Sequence, residues 1–446
     1  MLRSLKLQTH LFRELCSLPS HRDFKMHLIF AGYGCQISDM INLPIIILIP
    51  RKKRVDFVPK NFGRDFNSAD VNLDNWRDFP YNLHTFQNVA ELIPVQIIEG
   101  SENFVLPKQL DSTLLSREYR IAGKMQSGTE FLQESYTDAL LIAKKGTIVS
   151  EYYENGMSLF SPHLAFSVSK SITGIVAGIV LKEFGVDADS KISSVIDGTE
   201  GGAYEEATIR NLLDMTVSVD FDESYASKEG VYARYRQAML WMSRAEGSAY
   251  VNENLEKFIL ALPKGAEDHG YRFAYKSPNV DLLGLVLAKI SGLPVPQLIS
   301  QKLWVPAGCR SATITIDSKE MARTAGGVSC SIHDLALIGE LMRRGGNIKG
   351  KSVLDPAWVN DTKHDGDTEV WERGEFFDSF SKGSYRNLWY SIGEGDICAI
   401  GIHGQWIYIN PAKEVVIVKL SCQPKADDDE LDRKSLDFFR GICQGL

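Results

Sequence analysis

From Asp138 onward the apolar and polar positions fall into a regular pattern. Residues 138–146 (DALLIAKKG) and 147–156 (TIVSEYYENG) are apolar, β-branched runs joined at a Lys-Gly turn, which predicts an antiparallel hairpin. In the next run Ile172, Ile175, Val176, Ile179 and Val180 recur at i, i+3, i+4, i+7 and i+8, the spacing of one helix face, and Gly185 supplies a stop. This helix is apolar enough to be central. Gly174 and Gly178 weaken its propensity, so they predict an element packed very close against it.

The stretch 186–345 reads mostly as helix and loop: 207–215, 233–243, 252–263, 280–292 and 331–346 carry helical spacing, and strand pattern is nearly absent. Four strand-like runs follow at 386–393, 396–402, 405–411 and 414–421, then a closing helix over 431–444. Strands and helices are thus segregated along the chain. That predicts an α/β (α+β) sandwich, an antiparallel sheet flanked by helices, with the mostly helical 186–345 inserted between 65–185 and 346–446. Residues 1–64 show no clear period and are set apart as an N-terminal extension.

Composition adds little to the fold but narrows the function. The chain has 446 residues, 44% hydrophobic and 24% charged, which is ordinary for a globular protein. A net charge of -8 opposes nucleic acid as a partner, because no basic excess is available to replace phosphate counterions. Seven scattered cysteines without CxxC spacing signal neither a disulfide framework nor a zinc site, so a reducing, cytoplasmic setting is expected. Arg3, Lys6 and Arg13 among leucines leave a mitochondrial leader as the alternative. The run 41–50 is too short to span a bilayer, and no membrane partner is expected.

Several motif matches fail on context. Residues 345–352 (GGNIKGKS) fit a Walker A pattern, but a phosphate loop needs a strand before it and a helix after it, whereas here a helix precedes and Pro356 soon follows. The nine histidines show neither HExxH nor HxH spacing, so no metal and no cofactor are expected. The acidic run 427–430 reads as a solvated helix start. A GxSxG nucleophile elbow is absent.

What remains is Ser167-Val-Ser-Lys170, an SxxK tetrad, expected by chance on the order of once in a chain of this size. A second copy, Ser379 to Lys382, lies in a loop, whereas the first opens the apolar helix. There i and i+3 share a face, which sets Lys170 against the Ser167 hydroxyl. Serine needs a base to become a nucleophile, and a desolvated lysine can serve as one. The bland alternative makes Ser167 an N-cap and Lys170 a surface lysine.

Further segments favour the chemical reading. Tyr275-Lys-Ser277 stands immediately before a second apolar helix, with Pro278 in its first turn and Ser277 either a cap or a contact. Residues 399–406 (AIGIHGQW) bring small residues to a strand position, where glycine often marks close approach of a ligand or backbone. The ordered segments 74–82, 136–146, 166–180, 207–225, 275–284, 325–342 and 401–411 resemble the 6-aminohexanoate-dimer hydrolase and esterase branch of the β-lactamase-related, penicillin-recognising serine hydrolases, over roughly residues 75–446.

The resemblance implies a metal-free enzyme that cleaves small esters or linear amides through an acyl-enzyme. By the same resemblance Ser167 is the nucleophile, Lys170 and Tyr275 move protons, and the amides of Ser167 and Ile402 form the oxyanion hole, with Gln405 or Trp406 as alternatives to Ile402. Tyr225, Ser277, Gly401, His403 and Gly404 are the expected substrate contacts, and a homodimer is compatible with the reading. Two departures stand out. Ala399 is nearest the place of the family's KTG lysine, and Arg236 lies where the aminohexanoate-cleaving members carry an acid, which points to an ordinary esterase. The rival readings are a β-lactamase or D-Ala-D-Ala peptidase, and an inactive scaffold or binding protein of the same fold.

Overall fold

The computed structural model describes residues 70–446 except 102–103 and 245–246, so the expectations for 1–64 lie outside the described residues. In chain order the strands discussed are β1 (Val95–Ile98), β2 (Thr137–Lys144), β3 (Thr147–Tyr153), β4 (Pro162–Leu164), β5 (Ala312–Thr315), β6 (Val328–Ser331), β7 (Ser384–Arg386), β8 (Trp389–Ser391), β9 (Ile397–Gly401), β10 (Gln405–Asn410) and β11 (Val415–Ser421). The helices that frame the site are α1 (Val168–Phe184), α2 (Gly230–Ala238), α3 (Ser277–Ser291), α4 (Ile332–Arg343) and α5 (Asp429–Gly445).

Seven antiparallel strands form the main sheet in the order β7-β8-β9-β10-β11-β2-β3. Its interior strand β11 (VVIVKLS) is buried at every position, the pattern of a strand covered on both faces. The alternation along β10 shows what covers it. Trp406 and Tyr408 meet the Phe439 ring of α5 at 5.6 and 5.4 Å, while Ile407 and Val416 lie against Gly339 of α4. Burying a side chain such as Phe439 contributes on the order of 2 kcal/mol.

α1 is the central helix that its spacing predicts. A Cβ at Gly174 would strike the Asn387 carbonyl, and one at Gly178 would come within 2.6 Å of the Trp358 ring, so both glycines answer to close packing.

Two expectations need correction. The middle of the chain is not free of strands: β5 and β6 join β1 and β4 in a second antiparallel sheet of order β1-β5-β6-β4. Four-residue strands are too short to show a period, and their outer partners β1 and β4 lie far away in sequence. The run 386–393 is not one strand either. Asn387 and Leu388, at φ +52° and +64°, fold it into a turn between β7 and β8.

Candidate active site

The short strand β4 delivers the chain into α1 through Phe166, whose φ of +45° is uncommon for a bulky residue. Packing holds it there: the ring is fully buried, 4.7 Å from that of Phe86, 5.4 Å from that of His403 and 6.5 Å from that of Trp76. The next residue, Ser167, occupies the N-cap position of α1, yet its side chain caps no amide. Its Oγ instead accepts a hydrogen bond from Lys170 Nζ at 2.9 Å. The bland alternative of a capping serine and a surface lysine is therefore excluded.

Lys170 is buried, 1% exposed. Its Nζ also donates to the Ala325 carbonyl at 2.8 Å and lies 4.7 Å from the centre of the Tyr275 ring. Burial pulls its pKa down to about 7; Glu223 opposes the fall, Arg323 adds to it and Asp281 opposes it. A lysine in that state has a neutral amine available near neutral pH.

Tyr275 precedes α3, with its backbone N–H bonded to Glu375 Oε2 at 3.1 Å. Its ring is stacked on that of Tyr390 at 6.5 Å and packs against Phe376 at 5.7 Å. Burial raises its pKa far above that of an ordinary phenol, and the hydroxyls of Ser167 and Tyr390 oppose this only in part. Tyr275 is thus a neutral hydroxyl beside Ser167, not a phenolate.

Gly401, at the end of β9, passes so near the nucleophile that a Cβ would come within 2.8 Å of the Ala165 carbonyl and 3.1 Å of the Ser167 nitrogen. Gly401, Ile402 and Gly404 line the same pocket as Ser167, Tyr225 and Tyr275. The structure thus gathers six of the residues singled out in the sequence. Lys170 sits beneath them, bonded to Ser167.

Two of the expected contacts do not reach the pocket wall. Ser277 is buried, and both its N–H and its Oγ bond the Glu223 carboxylate. His403 is 3% exposed, and its Nδ1 lies 2.7 Å from the Gln423 carbonyl. Burial pulls its pKa down to about 3, so the ring is neutral; it supports Phe166 from behind. Arg236, on α2, is buried and likewise absent from the pocket wall, which removes it as a contact that would repel an ammonium group.

Other residues were not singled out from sequence. Tyr390 and Phe376 line the pocket, and Glu223 is the charge that most strongly supports a protonated Lys170. The acidic run is more than a solvated helix start. Asp428 caps α5 by accepting from the Leu431 N–H at 3.1 Å, while Asp427, Asp429 and Asp432 line the pocket. Burial pushes Asp432 up to about 7, with Lys419 acting against it. Of the second tetrad, Ser379 lines the same pocket, but among the described residues no hydrogen bond joins it to Lys382. Residues 345–352 form a helix end and a two-stranded turn, 347–348 with 351–352, and not a phosphate loop.

This arrangement has known relatives. The beta-lactamase family model matches residues 131–439. The chain belongs to the beta-lactamase family. Within it, the chain is similar to the 6-aminohexanoate-dimer hydrolase of Paenarthrobacter ureafaciens, 30% identical over 363 residues, which is 81% of this chain and 90% of that one. A Bacillus anthracis structure described as a 6-aminohexanoate-dimer hydrolase shares the fold with a TM-score of 0.77 at 22% identity, covering 86% of this chain and 98% of that one. EstCE1, a hydrolase with promiscuous acyltransferase activity, shares it with a TM-score of 0.55 at 16% identity, covering 70% and 98%. This beta-lactamase-family protein is an enzyme, a serine hydrolase of the ester and amide type acting on small molecules. Among the described residues no single helix is long and apolar enough to cross a membrane.

Proposed function

We propose that this hydrolase cleaves small carboxylic esters and linear amides through an acyl-enzyme on Ser167. The observation that carries the reading is the 2.9 Å bond between Ser167 Oγ and a buried Lys170 whose pKa is pulled down to about 7. Neutral Lys170 takes the Ser167 proton as Oγ attacks the substrate carbonyl carbon. The new oxyanion sits between the backbone amides of Ser167 and Ile402. Tyr275 relays the proton from Lys170 to the leaving alkoxide or amine. Water then attacks the acyl carbon and gives its proton to Lys170, which passes it to Ser167 Oγ as the acyl bond breaks. Since Tyr275 is held neutral, Lys170 is the base and Tyr275 the relay.

The substrate is read from the walls. Phe376, Tyr390 and Ile402 suit an apolar chain, and Asp427 and Asp429, which outnumber the one lining cation Arg433, suit an ammonium group at its end. With Arg236 outside the pocket wall, linear amino-acid amides such as the relative's named substrate fit as well as plain esters. Ala399, fully buried in β9, offers no lysine where a β-lactam carboxylate would be met on that strand, and Arg433, the cation that does line the pocket, stands among Asp427, Asp429 and Asp432, which disfavours a β-lactamase or cell-wall peptidase. The tuned Lys170 disfavours an inactive scaffold. The unpaired cysteines Cys309, Cys330, Cys398, Cys422 and Cys443 suit the cytoplasmic setting. Replacing Ser167 with Ala tests the reading: turnover of a p-nitrophenyl short-chain ester is expected to vanish, and full activity in that variant would overturn it.

A further inference from the structure

Behind Lys170 lies a buried ion pair that the acylation chemistry does not touch. Asp281, on α3, is fully buried, and Arg323 is 4% exposed. Arg323 Nη1 and the Tyr235 hydroxyl both donate to Asp281 Oδ2. The other carboxylate oxygen, Oδ1, accepts the Ala325 N–H at 2.9 Å. The carbonyl of that same residue, Ala325, accepts from Lys170 Nζ at 2.8 Å.

The segment around Ala325 is fixed from two further sides. Thr324 Oγ1 donates to the Val280 carbonyl at 2.7 Å, and the Val328 N–H donates to Ser169 Oγ at 3.1 Å. The middle serine of the SxxK tetrad thus holds the strand whose entry carries the Lys170 acceptor. A hydrophobic helix partner at position 281 would fill the space without a desolvation cost, so a buried carboxylate bonded to four donors, Thr324 Oγ1 at 3.4 Å among them, calls for another reason.

We propose that Asp281 is a positioning residue for acylation, acting on Lys170 through the Ala325 carbonyl and through its pairing with Arg323. The inference rests on the Ser167 and Lys170 reading above. A neutral amine has two N–H groups and one lone pair. With one N–H tied to the Ala325 carbonyl, rotation about the terminal bond is restricted and the lone pair turns toward the Ser167 hydroxyl. When Lys170 takes the proton, the same carbonyl accepts from the ammonium, so no group has to move.

The ion pair also balances charge. The charged and titratable groups facing Lys170 are Glu223 from the loop before α2, Tyr275 ahead of α3, Asp281 on α3, and Arg323. Asp281 favours the ammonium and Arg323 the amine, so they act against each other, and removing one alone shifts the balance in a direction set by its sign.

The test is kcat/KM for p-nitrophenyl acetate over about pH 5 to 9 on the full chain, with each preparation titrated by a fluorophosphonate so that only competent sites count. Asp281→Asn is expected to move the acid limb to lower pH and to lower the plateau about tenfold, because a misplaced acceptor misaims the amine. Arg323→Gln, in which Tyr235 and Ala325 still bond Asp281, is expected to move the limb to higher pH. Opposite shifts are a result that a merely structural role would not produce. Limbs that coincide with the wild type in both variants overturn the proposal. Should Asp281→Asn fail to fold, Arg323→Gln decides alone by the same criterion. If the wild type takes no label on Ser167, the functional reading fails instead of this inference.

Discussion

A Cβ on Gly401 would stand 3.1 Å from the backbone nitrogen of Ser167. That approach brings the end of β9, and with it the Ile402 amide, beside the start of α1, so two backbone N–H groups from distant parts of the chain can converge on one oxygen. The oxyanion hole proposed here depends on this contact.

Gly401→Ala should therefore push β9 off the helix start. The expected outcome is a fall in kcat of about a hundredfold, the size seen when an oxyanion donor is lost, with a smaller change in KM. Steady-state kinetics on a p-nitrophenyl ester checks it. Unchanged kcat would show that the hole lies elsewhere.

Lys170→Met keeps most of the length of the side chain and removes its amine. Activity should fall about a thousandfold or more. Stability should hold or rise, since a buried amine is exchanged for an apolar group that fills most of the same space. Thermal unfolding beside the rate assay checks both halves.

The pH dependence follows from the same group. The neutral amine is the base, so kcat/KM should climb as pH rises through about 7, the pKa to which burial pulls Lys170. The stability effect has a defined sign as well. An unfolded lysine keeps its proton up to about pH 10.4, so between about 7 and 10.4 the unfolded chain binds more protons than the folded one, and this group makes stability increase with pH. Denaturant unfolding at several pH values should show that slope reduced in Lys170→Met.

His403→Ala should behave as a packing change. The ring bonds the Gln423 carbonyl and supports Phe166 without lining the pocket. A loss of about 1 to 3 kcal/mol in stability is expected, with KM little altered. A large rise in KM in a folded variant would put His403 back among the substrate contacts.

Asp427→Asn combined with Asp429→Asn should raise KM for amino-acyl esters by several-fold and leave neutral esters alone, with the difference shrinking as salt is added. Kinetics with a matched pair of charged and neutral esters decides it.

Much of this architecture is legible in the sequence for a simple reason: long apolar elements carry their own period. The spacing of Ile172 to Val180 marks α1, and the runs ending at Ser421 mark the sheet that it packs near. β5 and β6 escape because four residues each, ATIT and VSCS, are too few to show a period, and what makes them strands is pairing with β1 and β4. At the site, Ser167, Lys170 and Tyr275 stand in readable motifs. Glu223 and Tyr390 do not, since their part depends on loops meeting across the pocket, which no spacing records. His403 shows the opposite error: its place beside Gly404 suggests the pocket, but a φ of +61° turns it into the core.

Every step of the proposed reaction needs Ser167 as an activated nucleophile. Labelling the full chain with a fluorophosphonate, followed by peptide mapping, tests this most directly. One adduct on Ser167, lost in Lys170→Met, is the predicted result; an intact Ser167 peptide, or an adduct on Ser379 in its place, would contradict it.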